Sequence, residues 1–352
     1  KPNKEIYLGN SGTSARLLTG LLASQDFNSV LSGDDSLSSR PMNRIAEPLS
    51  LMNAVIKTNN GKLPLTIEGA KLKNSIIDII IPSAQIKSGV LLAALNTEGL
   101  SIINEHHMTR DHTEIMLKSF GANIEINNKN NIKVIKIEGK KELVARDIKV
   151  PSDLSSSAFF IVAALINKNS YLHLKNINTN PTRNGILIAL EKMGAKLVYS
   201  NKRLENDEEV CDIEVFSSEL QGCELDSSIA KLMIDEYPIL SIAAVFANTP
   251  SVFRGLKELR VKESDRLELI RLNLINCGVN CKVINDDLYI EPIKQKVHIA
   301  KKIRTDYDHR IAMAFAVMGT RIGPISIDDS SSIKTSFPTF KDEMNKIGGN
   351  II

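Results

Sequence analysis

The stretch "LKELRVKESDRLELI", residues 256 to 270, sets Arg260, Lys262, Glu263, Asp265 and Arg266 within seven positions, between apolar residues. A charge run of this kind ordinarily covers a solvated helix face. Its residue types also suit a second task, the gathering of an anionic substrate. Arginine pairs with phosphate or carboxylate through two hydrogen bonds, and a carboxyl group nearby can move a proton. On a helix Lys262 and Arg266, four apart, share one face, and Glu263 and Arg266, three apart, are neighbours. Leu267 and Ile270 would turn inward, and Asp265, off that face, keeps the solvated reading.

What would position such a group is a repeat. Five apolar helices open on a short polar signal: "NSGTSARLLTGLLA" from Asn10, "PSAQIKSGVLLAAL" from Pro82, "PSDLSSSAFFIVAALI" from Pro151, "DEYPILSIAAVFA" from Asp235 and "DYDHRIAMAFAVMG" from Asp306. Their starts are 72, 69, 84 and 71 residues apart. A β-like stretch follows each: "SVLSGDD", "LSIINEH", "YLHLKNI", "SVFRGL" and "ISIDDS". A second, more amphipathic helix comes next, and four of these end on Gly121, Gly194, Gly278 or Gly348, suited to a left-handed cap. Alternating stretches such as "NIKVIKIEG" and "DDLYIEP" then predict strands. Each unit reads helix, strand, helix, strand, strand. In the first, Pro48 is expected to interrupt the second helix, and no glycine ends it.

The second helix of every unit is expected to begin with a basic residue: Arg40, Arg110, Arg183, Lys262 with Arg266, and Lys334. One of these is easily a surface cation, but a repeat projects equivalent positions toward a common surface. The first helices start on Ser, Asp or Gly, and their free N–H groups attract anions. Together these features predict a cleft for a polyanion.

Composition narrows the alternatives. The 352 residues suffice for two domains, and 43% hydrophobic with 24% charged residues is ordinary for a globular chain. A net charge of +3 and 5% aromatics argue against a nucleic-acid partner. Cys211, Cys223, Cys277 and Cys281 form no CxxC pair and read as free thiols of a reducing compartment. His106, His107 and His112 lie close together without a second ligand cluster, so no metal site is expected. There is no apolar run of about 18 residues, and no membrane partner is expected. The chain opens on Lys1 just before a motif, so a further N-terminal segment is expected upstream, where a transit peptide stays open. The expected protein is a cytoplasmic monomer.

The motifs "LGNSGTSARL", "PSAQIKS", "TRDHTE", "IDEYPIL", "LRVKESDRL", "DHRIAM" and "TSFP", in order from about Leu8 to about Phe340, resemble those of the 3-phosphoshikimate 1-carboxyvinyltransferase (EPSP synthase) family. "PSAQIKS" and "TRDHTE" look more like its second bacterial class. The resemblance implies an α/β (α+β) fold of two inside-out barrel domains, each built from three βαβαββ units. Six units are then expected against the five read above; the one carrying a "PGSKS"-like loop is not among them. Residues 1–146 would be an incomplete first domain of two units, and residues 147–352 a second domain of three.

The implied reaction moves the enolpyruvyl group of phosphoenolpyruvate onto the 5-hydroxyl of shikimate 3-phosphate, by addition and elimination, without a metal or organic cofactor. By motif position the resemblance gives Gly12, Arg40, Gln85, Arg266 and Arg310 to phosphoenolpyruvate, with Lys334 less firmly aligned. Ser83, Ala84 through its backbone, Gln85, Arg110, Asp235 and Lys262 fall to shikimate 3-phosphate, and Thr109 is an extra donor for it. Asp235 is expected as the base near the 5-hydroxyl, with its neighbour Glu236 the alternative, and Glu263 as the acid for the methylene carbon. His309 takes a supporting role, and Arg183 a structural or electrostatic one. Gly12 lets backbone N–H groups approach the anion, and the pocket is expected to admit the phosphonate inhibitor glyphosate. Two rivals remain: the sister transferase acting on UDP-N-acetylglucosamine, whose reactive-cysteine loop has no counterpart here, and a fragment that only binds anions.

Overall fold

Helices that are apolar all round need cover on every side, and this decides the layering. In the computed structural model, which describes residues 1–130, 132–293 and 302–352, the chain divides into two compact units, Lys1–Ile148 and Lys149–Ile352. Asn131, the first residue of the predicted strand "NIKVIKIEG", lies outside the described residues.

The first unit runs β1 (Ile6–Tyr7), α1 (Gly12–Ala23), β2 (Ser29–Ser32), α2 (Asp35–Ser39), α3 (Asn43–Ser50), β3 (Val55–Asn59) and β4 (Lys62–Glu68). It continues with β5 (Ile76–Ile79), α4 (Ala84–Leu95), β6 (Gly99–Glu105), α5 (His112–Ser119), β7 (Asn123–Lys129) and β8 (Ile132–Gly139). The two sheets share one topology, β1-β2-β4-β3 and β5-β6-β8-β7, with the first strand parallel to the second and the other pairs antiparallel. Leu63, Leu65 and Ile67 of β4 and Ile135 and Ile137 of β8 alternate inward, joining Ala15, Val90 and Leu91 of the helices in one core. At the crossing of α1 with α4, a Cβ on Gly20 would stand 1.8 Å from the Gly89 carbonyl oxygen, so only glycine permits this approach.

The second unit contains α6 (Leu154–Ile166), β9 (Tyr171–Asn178), α7 (Gly185–Lys192), β10 (Lys196–Glu205) and β11 (Glu208–Phe216). Then come β12 (Glu224–Leu225), α8 (Ser227–Met233), a 3-10 turn (Ile234–Glu236), α9 (Tyr237–Val245), β13 (Ser251–Phe253) and a second 3-10 turn (Lys257–Val261). It closes with α10 (Arg266–Asn276), β14 (Cys281–Ile284), β15 (Asp287–Ile290), α11 (His309–Ile322), α12 (Ile333–Ser336) and α13 (Phe340–Lys346). The sheets are ordered β10-β11-β9 and β12-β13-β15-β14. Helices α6, α9 and α11 pack on one another. Every residue of α6 except Ser156, and all of α9, is buried. The apolar helices thus lie inside and the sheets outside.

Three local expectations are corrected. Pro48 does not interrupt its helix: α3 runs through it to Ser50, and Asn53, at φ 66°, takes the left-handed position a glycine fills elsewhere. "ISIDDS" forms no strand, only a parallel bridge between Ile303 and Ile327. A short strand also precedes the first helix of a unit, as β1, β5 and β12, or is reduced to the bridges at Ser152 and Ile303. The four predicted cap glycines do adopt positive φ, from 75° to 101°.

Candidate functional site

In the first unit the polar residues gather at the starts of α1 and α4. Ser11 caps α1 by accepting from the Ser14 N–H at 3.1 Å, and Ser83 caps α4 by accepting from the Ile86 N–H at 3.4 Å. Gln85 spans the two helices: its amide donates to Thr13 Oγ1 at 2.9 Å, and its carbonyl accepts from Arg16 Nη1 at 2.7 Å. Arg16 also donates to the Gly12 carbonyl at 3.2 Å. Arg40, the residue after α2, donates to Asn10 Oδ1, while its Nε is buried with no hydrogen-bond partner. A Cβ on Gly12 would lie 2.8 Å from Arg16 Nη1 and 3.0 Å from Arg40 Nη1.

These guanidiniums crowd one another. Burial and then the charges of Arg40 and Arg44 push the Arg16 pKa down to about 10. An anion placed at the start of α1 would relieve that repulsion and meet the positive end of the helix dipole. Thr109 and Arg110 lie in the loop between β6 and α5, where the Thr109 N–H donates to Glu105 Oε1 at 2.8 Å.

In the second unit the centre is Arg266, the first residue of α10 and 1% exposed. Its Nε donates to Asp308 Oδ2 at 2.8 Å, Nη1 to Asp235 Oδ1 at 3.2 Å, and Nη2 lies 2.5 Å from Glu263 Oε2. Lys262 Nζ stands 3.3 Å from the same Asp235 oxygen. Arg310 donates to the Asp235 carbonyl at 3.1 Å and stands 3.6 Å from Glu236 Oε1, which also accepts from Ser155 Oγ.

Asp308 caps α11, accepting from the Arg310 N–H at 2.9 Å and from Ser264 Oγ at 2.9 Å. Burial opposes its charge, but the charge and hydrogen bond of Arg266, with His309 and Ser264, together hold the carboxyl below the usual range. His309 beside it is pushed down to about 4, by burial and the nearby Arg310 and Arg266 charges against the pull of Asp308. Its imidazole is therefore neutral near pH 7.

Of the predicted residues, Gly12, Arg40 and Gln85 come together at α1, with Ser83 and Ala84 beginning α4. Asp235, Lys262, Glu263, Arg266 and Arg310 come together in the second unit. Lys334 is exposed on α12, and among the described residues no carboxylate is within salt-bridge distance of it. Arg183 pairs at 3.0 Å with Asp153, the cap of α6.

The helical placement of the opening stretch is corrected. Lys262 and Glu263 sit in the turn before α10, not on it; Asp265 is the cap, accepting from the Glu268 N–H at 3.0 Å. Asp265 also pairs with Arg260 at 3.1 Å, so it is structural rather than merely solvated. Arg40, Arg110, Arg183 and Lys262 likewise precede their second helices rather than begin them; Arg266 is the first residue of α10, and Lys334 the second of α12.

Sequence reasoning missed Arg16, Asp308, Ser155 and the buried side of Glu236. For Arg16 a signal existed, since it follows Gly12 by four residues and must share its helix face. Asp308 is a cap signal that precedes Arg310.

Residues 1–344 match the family described as EPSP synthase (3-phosphoshikimate 1-carboxyvinyltransferase). The 3-phosphoshikimate 1-carboxyvinyltransferase of Ruthia magnifica is 46% identical over 100% of this chain and 80% of its own length. That of Paramagnetospirillum magneticum is 42% identical with the same coverage. The solved EPSP synthase of Acinetobacter baumannii superposes with a TM-score of 0.86 at 42% identity, covering 99% of this chain and 80% of that one. The enolpyruvyl transferase NikO of Streptomyces tendae, at 13% identity and a TM-score of 0.70, shares the fold. With both polar clusters in place on that fold, the chain belongs to the EPSP synthase family.

Proposed function

We propose that the chain transfers the enolpyruvyl group of phosphoenolpyruvate to the 5-hydroxyl of shikimate 3-phosphate, releasing phosphate. The observation that carries this reading is that Asp235 and Glu263, two acids for two proton movements, meet on the single guanidinium of Arg266. Asp235 takes the hydroxyl proton as that oxygen adds to the enol carbon. Glu263 delivers a proton to the methylene carbon, and loss of that proton with cleavage of the carbon–phosphate oxygen bond gives product and phosphate.

For phosphoenolpyruvate the assigned groups are Gly12, Arg40 and Gln85 of the first unit, and Arg310 and Lys334 of the second. Ser83, the Ala84 N–H, Gln85 and Arg110 suit a phosphate and polyol, and Lys262 with Asp235 complete the set for shikimate 3-phosphate. Arg266 is ion-paired with three carboxylates, so its first task is to order the two acids.

Phosphate release in the presence of phosphoenolpyruvate is the test. Release on adding shikimate 3-phosphate, and none with UDP-N-acetylglucosamine, is the expected outcome; release with the nucleotide sugar, or with neither, rejects the reading. The four free buried thiols support a reducing compartment, read as the cytoplasm. A dimer mass in light scattering would reject the expected monomer.

A further inference from the structure

Beneath the start of α4 lies a charge cluster that the reaction does not use. Lys87 of α4 is fully buried, and its Nζ lies 3.0 and 3.1 Å from the two oxygens of Glu105 and 2.7 Å from Glu114 Oε1. Both acids are buried at their side chains, and Lys133 of β8 reaches Glu114 Oε1 at 3.1 Å. Glu105 ends β6, and its Oε1 accepts from both the N–H and the hydroxyl of Thr109. Glu114 stands in the first turn of α5, where Thr113 also meets Ser88 of α4 at 2.6 Å.

Buried ion pairs are a poor way to gain stability, since apolar groups of similar volume usually serve as well or better. They fix geometry instead, because each charge tolerates few placements. Lys87 is two residues after Gln85, and Glu105 holds the residue immediately before Arg110. We propose that Lys87, Glu105 and Glu114 are positioning residues that set the Thr109–Arg110 loop against the start of α4. They thereby set the affinity for the phosphorylated polyol held by Ser83, Gln85 and Arg110. This rests on the acceptor-site reading given above.

Calorimetric titration of shikimate 3-phosphate into the full chain tests it, with circular dichroism reporting the fold of each variant. Glu105→Ala should raise Kd roughly 10- to 100-fold, the usual consequence of a binding group displaced by about 1 Å. Glu105→Gln keeps an acceptor for the Thr109 N–H and should recover most of that affinity, a rescue that general loss of packing would not give. Thr109→Val, which leaves the charges in place, should weaken binding by a few-fold and serves if Glu105→Ala fails to fold. Equal affinity across folded variants while Arg110→Ala binds weakly overturns the positioning role alone. Undiminished affinity in Arg110→Ala, or no binding by the unmodified chain, overturns the acceptor-site reading and the proposal with it.

Discussion

Arg16 in the first unit and Arg266 in the second are both guanidiniums withdrawn from water, yet their surroundings are opposite. Arg16 meets a neutral amide and stands near two further arginines, which with burial lower its pKa to about 10. Arg266 meets three carboxylates, and its pKa is raised in spite of complete burial. The first arrangement lacks negative charge and is suited to receive it from a ligand. The second is balanced from within and is suited to hold acids in place. One fold, with a cation near the second helix of each unit, has thus been turned to two electrostatic purposes by whether acids accompany it.

That contrast is easiest to break at Asp308. Asp308→Ala should destabilise the chain by about 3–5 kcal/mol, because it strips a buried partner from Arg266. A urea melt checks this, and a loss below about 1 kcal/mol would mean that Arg266 does not depend on compensation. Acid acts on the same neighbourhood. His309 has its folded pKa near 4 against an ordinary 6.5, so as pH falls through that window the unfolded chain takes up the proton first. Stability is therefore intact above about pH 7 and declines toward pH 4, by about 1–3 kcal/mol from this group. Melts at several pH values should show the decline, and His309→Gln should flatten it.

The first unit predicts the reverse pattern. Arg40→Ala should leave stability within about 0.5 kcal/mol, since it removes repulsion as well as a hydrogen bond. It should nevertheless raise the KM for phosphoenolpyruvate roughly 10- to 100-fold. A large fall in melting temperature would show that Arg40 is structural. The smallest change is Gly12→Ala. Its methyl would press on the ends of two flexible guanidiniums rather than on backbone, so the fold should survive. Affinity for phosphoenolpyruvate and for glyphosate should fall about tenfold, each read by steady-state inhibition or KM. Unchanged affinity for both would place the anion elsewhere.

The repeat was legible because apolar runs and glycine stops are local signals. All five apolar helices and the four left-handed caps could be read from residue order alone. The leading strands were not, since β1 and β12 have two residues each and owe their pairing to a parallel partner more than twenty residues away. The site was legible as a set of residue types but not as a geometry. A helical face was expected to join Lys262, Glu263 and Arg266; a turn joins them instead, because Asp265 caps α10 and starts the helix at Arg266. Nor could spacing show that Asp235, free to be a helix cap, is instead held by Lys262 and Arg266 from a later segment.

The glycine contact between α1 and α4 has a mechanical meaning as well. Gly20 lies eight residues along from Gly12, and Gly89 five residues from Ala84, so the helix starts extend about 12 and 8 Å beyond the crossing. They are lever arms on one pivot. A side chain wedged there that tilted α1 by about 5° would swing its anion-facing end by about 1 Å, enough to spoil a phosphate grip without touching it.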